Sequence, residues 1–136
     1  NELPLPVYGP PGIQRVVDGF NMAYAQDFNY RNEHHGDAVT PMSAAGLTAR
    51  PFELPSDGEL VRIHDRDDLT IDALAVGHSP VEPAVGYLFR YKGRSALVTG
   101  DTLFTLKTLS KIGKNDPNST FFVHPVQQFI IVIIRF

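Results

Sequence analysis

The chain has 136 residues, 43% of them apolar, with a formal net charge of -3. That length suits one domain with its own core, and the acidic balance argues against a protein that grips nucleic acid over a broad basic face. There is no cysteine, which excludes a disulfide framework and a thiolate metal site, so any metal must sit on His, Asp or Glu, a donor set that suits zinc or manganese.

Leu5 to Tyr8 reads as a short strand, broken by Gly9-Pro10-Pro11-Gly12. From there Ile13, Val16, Val17, Phe20 and Tyr24 form one apolar stripe at helical spacing. Pro11 suits the start of that helix, where a missing N–H costs nothing. Gln26 to Leu47 turns polar, then small and loop-like, and is expected to be a long connection with a helical start. From Pro51 the period changes to two, with Phe52 and Leu54 alternating. Leu60 to His64 and Leu69 to Val76 are predicted strands around the turn Asp65-Arg66-Asp67-Asp68. Val85 to Tyr91 and Ser95 to Thr99 follow, joined by the two-residue turn Lys92-Gly93. Thr102 is placed to cap a helix with apolar positions Leu103, Leu106 and Leu109, stopped by Gly113. Phe121 to Val123 is a predicted buried strand. The apolar run Phe129 to Ile134 is far shorter than the roughly 20 residues that cross a bilayer, so no membrane partner is expected. Asn1 to Pro6 lacks the charged and apolar regions of a signal peptide. Without cysteine the redox compartment stays open, with the cytoplasm slightly favoured.

The strand pattern has a chemical consequence. The Lys92-Gly93 turn makes Tyr91 face Arg94, and counting outward makes Val85 face Gly100. The strand before His78 ends on that same side. His78 and Asp101 therefore emerge at one edge of one sheet. An imidazole and a carboxylate there are ordinary zinc ligands. A plainer reading stands beside it: His78 hydrogen-bonds within a turn and Asp101 caps the following helix.

His78-Ser79-Pro80-Val81-Glu82-Pro83-Ala84-Val85-Gly86-Tyr87, followed by Gly100-Asp101-Thr102, resembles the metallo-β-lactamase superfamily. The resemblance is to its ribonuclease Z and arylsulfatase-like branch, and Leu5-Pro6-Val7-Tyr8-Gly9-Pro10-Pro11-Gly12 is similar to the opening strand, turn and helix of that branch. It runs from the first residues to about Thr102. It implies an α/β fold, the C-terminal part of an αββα sandwich. It also implies a binuclear zinc hydrolase (manganese being the other candidate ion) that cleaves an ester or phosphodiester, with RNA as one substrate. His78 would bind one metal and Asp101 would bridge two, with a shared hydroxide as nucleophile.

The chain departs from that family in several places. The family's His-x-His-x-Asp-His motif, which carries most of the metal ligands and a catalytic Asp, is absent. The chain is therefore expected to be one partial domain over residues 1–136, and no catalytic residue is assigned. His124 stands where the family has His-Glu-Ala, with Pro125 in place of the Glu. Residues 127–136 are an atypical apolar tail that would favour aggregation if exposed. Arg31, His34 and His35 are candidate substrate contacts by resemblance, or else belong to a solvated loop. His64 is expected at the surface without a role. The acidic turn at Asp65 to Asp68 lacks the Gly and distal Glu of a calcium loop. Glu82 is either a carboxylate supporting His78 or a rim residue, and Lys107, Lys111 and Lys114 fit the solvated side of a helix. The alternative to an enzyme is an inactive fragment, or a binding module whose sheet edge and apolar tail meet a partner such as a second copy in a homodimer.

Overall fold

A computed structural model describes residues 2–102, 119–122 and 132–133. The protein is an α/β chain in two units, residues 1–52 with 131–136, and residues 53–130.

The first unit is built on β1 (Leu5–Gly9), α1 (Ile13–His35) and β2 (Leu47–Pro51). β1 and β2 are parallel, with Leu5 beside Leu47 and Val7 beside Ala49, and α1 is the crossover between them. A two-residue strand, Val132–Ile133, lies antiparallel along the other side of β1. The core is Val7, Ile13, Val17 and Ala49, with Val16 and Leu47 packed against it. Gly9 makes this packing possible: a Cβ there would sit 2.8 Å from Ile13 Cγ1. Asn21 ties the helix to the strand. Its amide donates to Leu47 O and its carbonyl accepts from Leu47 N, both at 2.9 Å, so one side chain replaces a neighbouring strand at that residue.

α1 is longer than the apolar stripe predicts, running 23 residues to His35. Its second half is sustained by polar pairs one turn apart, Gln26 with Tyr30 and Asp27 with Arg31, both at 2.6 Å. Such a helix has no apolar period to read. It ends at Gly36, whose positive φ of 76° follows from its C-cap position. Thr40 Oγ1 donates to Arg31 O, and Asn32 Nδ2 donates to Thr40 O. β2 also corrects the sequence reading. The strand lies at Leu47–Pro51 and stops where the alternation at Phe52 and Leu54 was expected to begin. Ala49 is its one buried residue, a signal too weak to read as a strand.

The second unit is a five-stranded sheet. β3 (Val61–Arg66), β4 (Leu69–Ala75), β5 (Val85–Tyr91) and β6 (Arg94–Val98) form an antiparallel meander. β7 (Ser119–Phe122) runs parallel to β6. Both tight turns use consecutive positive φ angles, Asp67 and Asp68 at 52° and 64°, and Lys92 and Gly93 at 47° and 75°. That geometry matches the twist of the flanking strands. Both faces of the sheet are buried: Ile71, Ala73 and Tyr87 on one, Leu74, Leu88 and Leu97 on the other. His64, expected at the surface, is buried, and the register shifts between Arg62 and His64. Such a shift re-aims the side chains that follow.

Asp72 sits in this apolar sheet with a side chain only 5% exposed. Arg62 Nε donates to its Oδ1 at 2.5 Å, and the Arg90 guanidinium donates to Oδ2. Arg62 also reaches Asp65 at 2.7 Å. The Asp72 hydrogen bond raises the Arg62 guanidinium above its ordinary range, while desolvation works against it. A buried carboxylate held by two arginines keeps its charge compensated.

Among the described residues there are two sheets, of three and five strands. The predicted helix from Leu103, His124 and most of the 127–136 tail lie outside the described residues.

Candidate metal centre

β4 and β6 both run antiparallel to β5, so they run parallel to each other and leave the sheet on the same side. β4 ends opposite the start of β5, with Ala75 beside Val85. β6 ends with Val98 beside Tyr87. The chain leaving β4 carries Val76, Gly77 and His78. The chain leaving β6 carries Thr99, Gly100 and Asp101. Gly100 has a φ of 66°, a turn that a side chain would resist.

The two exits meet. His78 Nε2 lies 3.1 Å from Asp101 Oδ2, with side chains 28% and 34% exposed. Thr102 Oγ1 donates to Gly77 O at 3.1 Å, so the residues flanking the pair are bonded as well. His78 also opens a turn closed by Val81 N donating to His78 O at 2.8 Å, and Val76 N donates to Ala84 O at 3.0 Å. Gly86 lies beneath both exits. A Cβ there would be 3.1 Å from Val98 O and 3.3 Å from both Thr99 Cα and Val76 Cγ1.

Two observations test whether these residues fit a metal. Two tetrahedral ligands of one zinc ion lie about 3.3–3.5 Å apart, and the His78–Asp101 pair, in direct contact at 3.1 Å, is within a few tenths of an ångström of that spacing. His78 Nδ1, the other ring nitrogen, is buried and has no hydrogen-bond partner among the described residues, so the partner that ordinarily orients a metal-bound imidazole through its second nitrogen is not found among them. The pair fits as part of a metal site. It is not a full set, since no group of three or more His, Cys, Asp or Glu side chains converges among the described residues. Glu82 is exposed in the loop between β4 and β5.

Arg31, His34 and His35 lie on the last turns of α1, in the first unit. Arg31 is exposed and pairs with Asp27, whose hydrogen bond and charge raise its pKa above the ordinary value. The His34 and His35 rings meet edge to face, centroids 4.5 Å apart, and both are exposed. They belong to the helix rather than to the expected loop. Sequence reasoning missed the Thr102–Gly77 bond, having given Thr102 only a capping role. The Asp72 cluster was also missed, although its signal is visible: a lone acid in the apolar strand Ile71-Asp72-Ala73-Leu74, with arginines on both neighbouring strands.

No family model matches the chain. Among curated proteins it is 35% identical over 102 residues to a putative ribonuclease Z of Mycobacterium tuberculosis strain CDC 1551 / Oshkosh, covering 74% of this chain and 41% of that protein. It is 35% identical over 102 residues to the ribonuclease Z of strain H37Rv, 74% of this chain and 33% of that one. To the ribonuclease Z of Mycolicibacterium gilvum it is 34% identical over 100 residues, 74% and 32% of the two chains. The chain is a relative of ribonuclease Z. Its resemblance to the ribonuclease Z-like branch of the metallo-β-lactamase superfamily, stated from His78 to Tyr87 and Gly100 to Thr102, is thereby supported by independent comparison. The alignments span between about a third and two fifths of the length of these ribonuclease Z relatives. No helix among the described residues is long and apolar enough to cross a membrane.

Proposed function

We propose that this ribonuclease Z-like chain carries part of the metal centre of a zinc-dependent hydrolase acting on the phosphodiester of an RNA. The observation that carries the reading is the 3.1 Å approach of His78 Nε2 to Asp101 Oδ2 across two strand exits. His78 would supply one imidazole nitrogen, and Asp101 a carboxylate able to bridge two ions. When bound, the metal supplies a water of lowered pKa and polarises the bond under attack. The chain's own part is to hold an imidazole and a carboxylate close to ligand spacing beside a buried sheet, with the turn from His78 to Val81 fixing the His78 backbone. The fold proposed with it is a partial αββα sandwich of the metallo-β-lactamase type, one domain over 1–136 with an atypical tail at 127–136, at work in the cytoplasm. Arg31, His34, His35 and His124 are proposed substrate contacts. With a net charge of -3, the chain would meet RNA through a local site rather than a broad basic face.

A second reading is favoured by one observation: the described residues bring together two ligand-type side chains, not three. On that reading the chain alone is not a hydrolase, and its sheet edge meets a partner, in a homodimer for instance. The test is zinc content and zinc-dependent cleavage of a 3′-extended transfer RNA precursor by the full chain, with and without a chelator. Zinc binding that is lost in Asp101→Ala supports the metal site, and cleavage that chelation abolishes supports the enzyme. A chain that takes up no zinc, or binds it equally in Asp101→Ala, overturns the proposal.

A further inference from the structure

We infer that Thr102 is a positioning residue for the His78–Asp101 pair, acting through its hydrogen bond to Gly77 and together with the close backbone approach that Gly86 permits. The inference rests on the reading of His78 and Asp101 as metal ligands, but it concerns how their spacing is set. Neither residue lies within a strand: β4 ends at Ala75 and β6 at Val98. Ladder hydrogen bonds therefore stop short of both, and something else must set their separation. Two features do so. Thr102 Oγ1 donates to Gly77 O at 3.1 Å. Gly77 directly precedes His78 and Thr102 directly follows Asp101, so this bond fastens the two backbones one residue away from each side chain. The bond is exposed, so water competes with it, and it shares the task with the close approach at Gly86. On the strand side, Gly86 allows Val76 and Thr99 to approach closely; a Cβ would meet both at 3.3 Å and the Val98 carbonyl at 3.1 Å. Val76 and Thr99 are each two residues from a member of the pair. The spacing is thus held from one side by a bond and permitted on the other by a missing methyl group.

The Thr102 hydroxyl donates its proton to the carbonyl of the other exit, and its lone pairs remain able to accept from a backbone N–H, so this bond is compatible with a cap. A serine would preserve it, and an isosteric valine would remove it while keeping the shape.

The experiment compares the full chain with Thr102→Val, Thr102→Ser and Gly86→Ala by two readouts. One is the crystallographic His78 Nε2–Asp101 Oδ2 separation without added metal; the other is zinc affinity by calorimetry. Melting temperature reports folding. The expected result is a widened pair in Thr102→Val, with zinc binding roughly ten- to hundredfold weaker, as for other groups that orient a metal ligand. Thr102→Ser should match the parent in both readouts. Gly86→Ala should widen the pair from the other side, so an unfolded Thr102→Val does not end the test. A Thr102→Val or Gly86→Ala chain that folds and keeps the parent's spacing overturns the inference, whatever its zinc affinity. A parent chain that binds no zinc, yet whose pair separates in Thr102→Val, retains the positioning role and sinks the metal reading. The opposite pattern, zinc bound and spacing indifferent to Thr102, does the reverse.

Discussion

His78 and Asp101 are separated in sequence by a whole β-hairpin, yet their side chains meet at 3.1 Å. Antiparallel pairing of β4 and β6 with the same central strand brings the two strand exits to one side. Each side chain is partly exposed and neither belongs to the buried core. His78→Ala and Asp101→Ala should therefore each cost about 1 kcal/mol or less in stability, while zinc binding is lost. Chemical denaturation beside calorimetric zinc titration checks this. A large loss of stability in either variant would show that the pair is structural.

Zinc should stabilise the folded chain and a chelator should reverse the effect. A ligand that binds only the native state raises stability by mass action, about 2.7 kcal/mol at a hundred times the dissociation constant. With two ligand-type residues brought together among those described, affinity should be modest and the gain should appear at high micromolar zinc. Thermal melts across a zinc series measure it. The same melts on Asp101→Ala should show no gain.

Asp72 is a separate structural commitment. Its carboxylate is 5% exposed and is held by Arg62 and Arg90, themselves 45% and 37% exposed. Asp72→Ala leaves two guanidinium groups without their acceptor at the sheet, but both can still reach water. The cost should be about 2 kcal/mol, below the 3–5 kcal/mol of a fully buried broken pair. Asp72→Asn, which keeps an acceptor, should cost less. Urea denaturation compares both variants, and Asp72→Ala, Arg62→Ala and the double variant set against the parent measure the coupling.

The parts that sequence alone revealed are those whose local rules agree with the final fold. β5 was read at its observed limits because Val85 to Tyr91 is bounded by a tight Lys92-Gly93 turn and a Pro-rich loop. The register of that hairpin followed from the turn, and the convergence of His78 and Asp101 followed from the register. The second half of α1 was not legible, since its stability comes from polar pairs such as Asp27–Arg31 and not from an apolar stripe. β2 was hidden because Ala49 is its one buried residue and its outer backbone is met by Asn21, a side chain distant in sequence. The inward turn of His64 depends on a register shift that no local pattern announces.

Asn21 is the clearest of these long-range devices. Both of its hydrogen bonds go to the backbone of Leu47, and Gly46 beside it leaves no room for a Cβ, which would lie 2.6 Å from Asn21 Oδ1. Asn21→Ala removes two partners at once. The expected loss is about 1–3 kcal/mol, two modest hydrogen bonds at a part-buried site. Hydrogen exchange at the Leu47 amide should accelerate together with the fall in stability. Unchanged exchange there would mean that β2 is held by its pairing with β1 alone.

The alkaline limb of the stability curve should belong to Tyr87. Burial pushes its hydroxyl from an ordinary pKa of 10 up to about 12, and the side chain lies in the middle of the sheet. Between those values the unfolded chain has lost the Tyr87 proton while the folded chain keeps it. The native state then binds more protons, so stability falls as pH rises. The contribution is intact below about pH 10 and is lost through about pH 12, and two pKa units correspond to roughly 2–3 kcal/mol. Tyr87→Phe has no proton to lose, so its stability should decline less over the same interval, even if its absolute stability at neutral pH differs. Urea midpoints collected at half-unit steps above pH 9 for both chains make the comparison, and parallel curves would assign the alkaline loss to other groups.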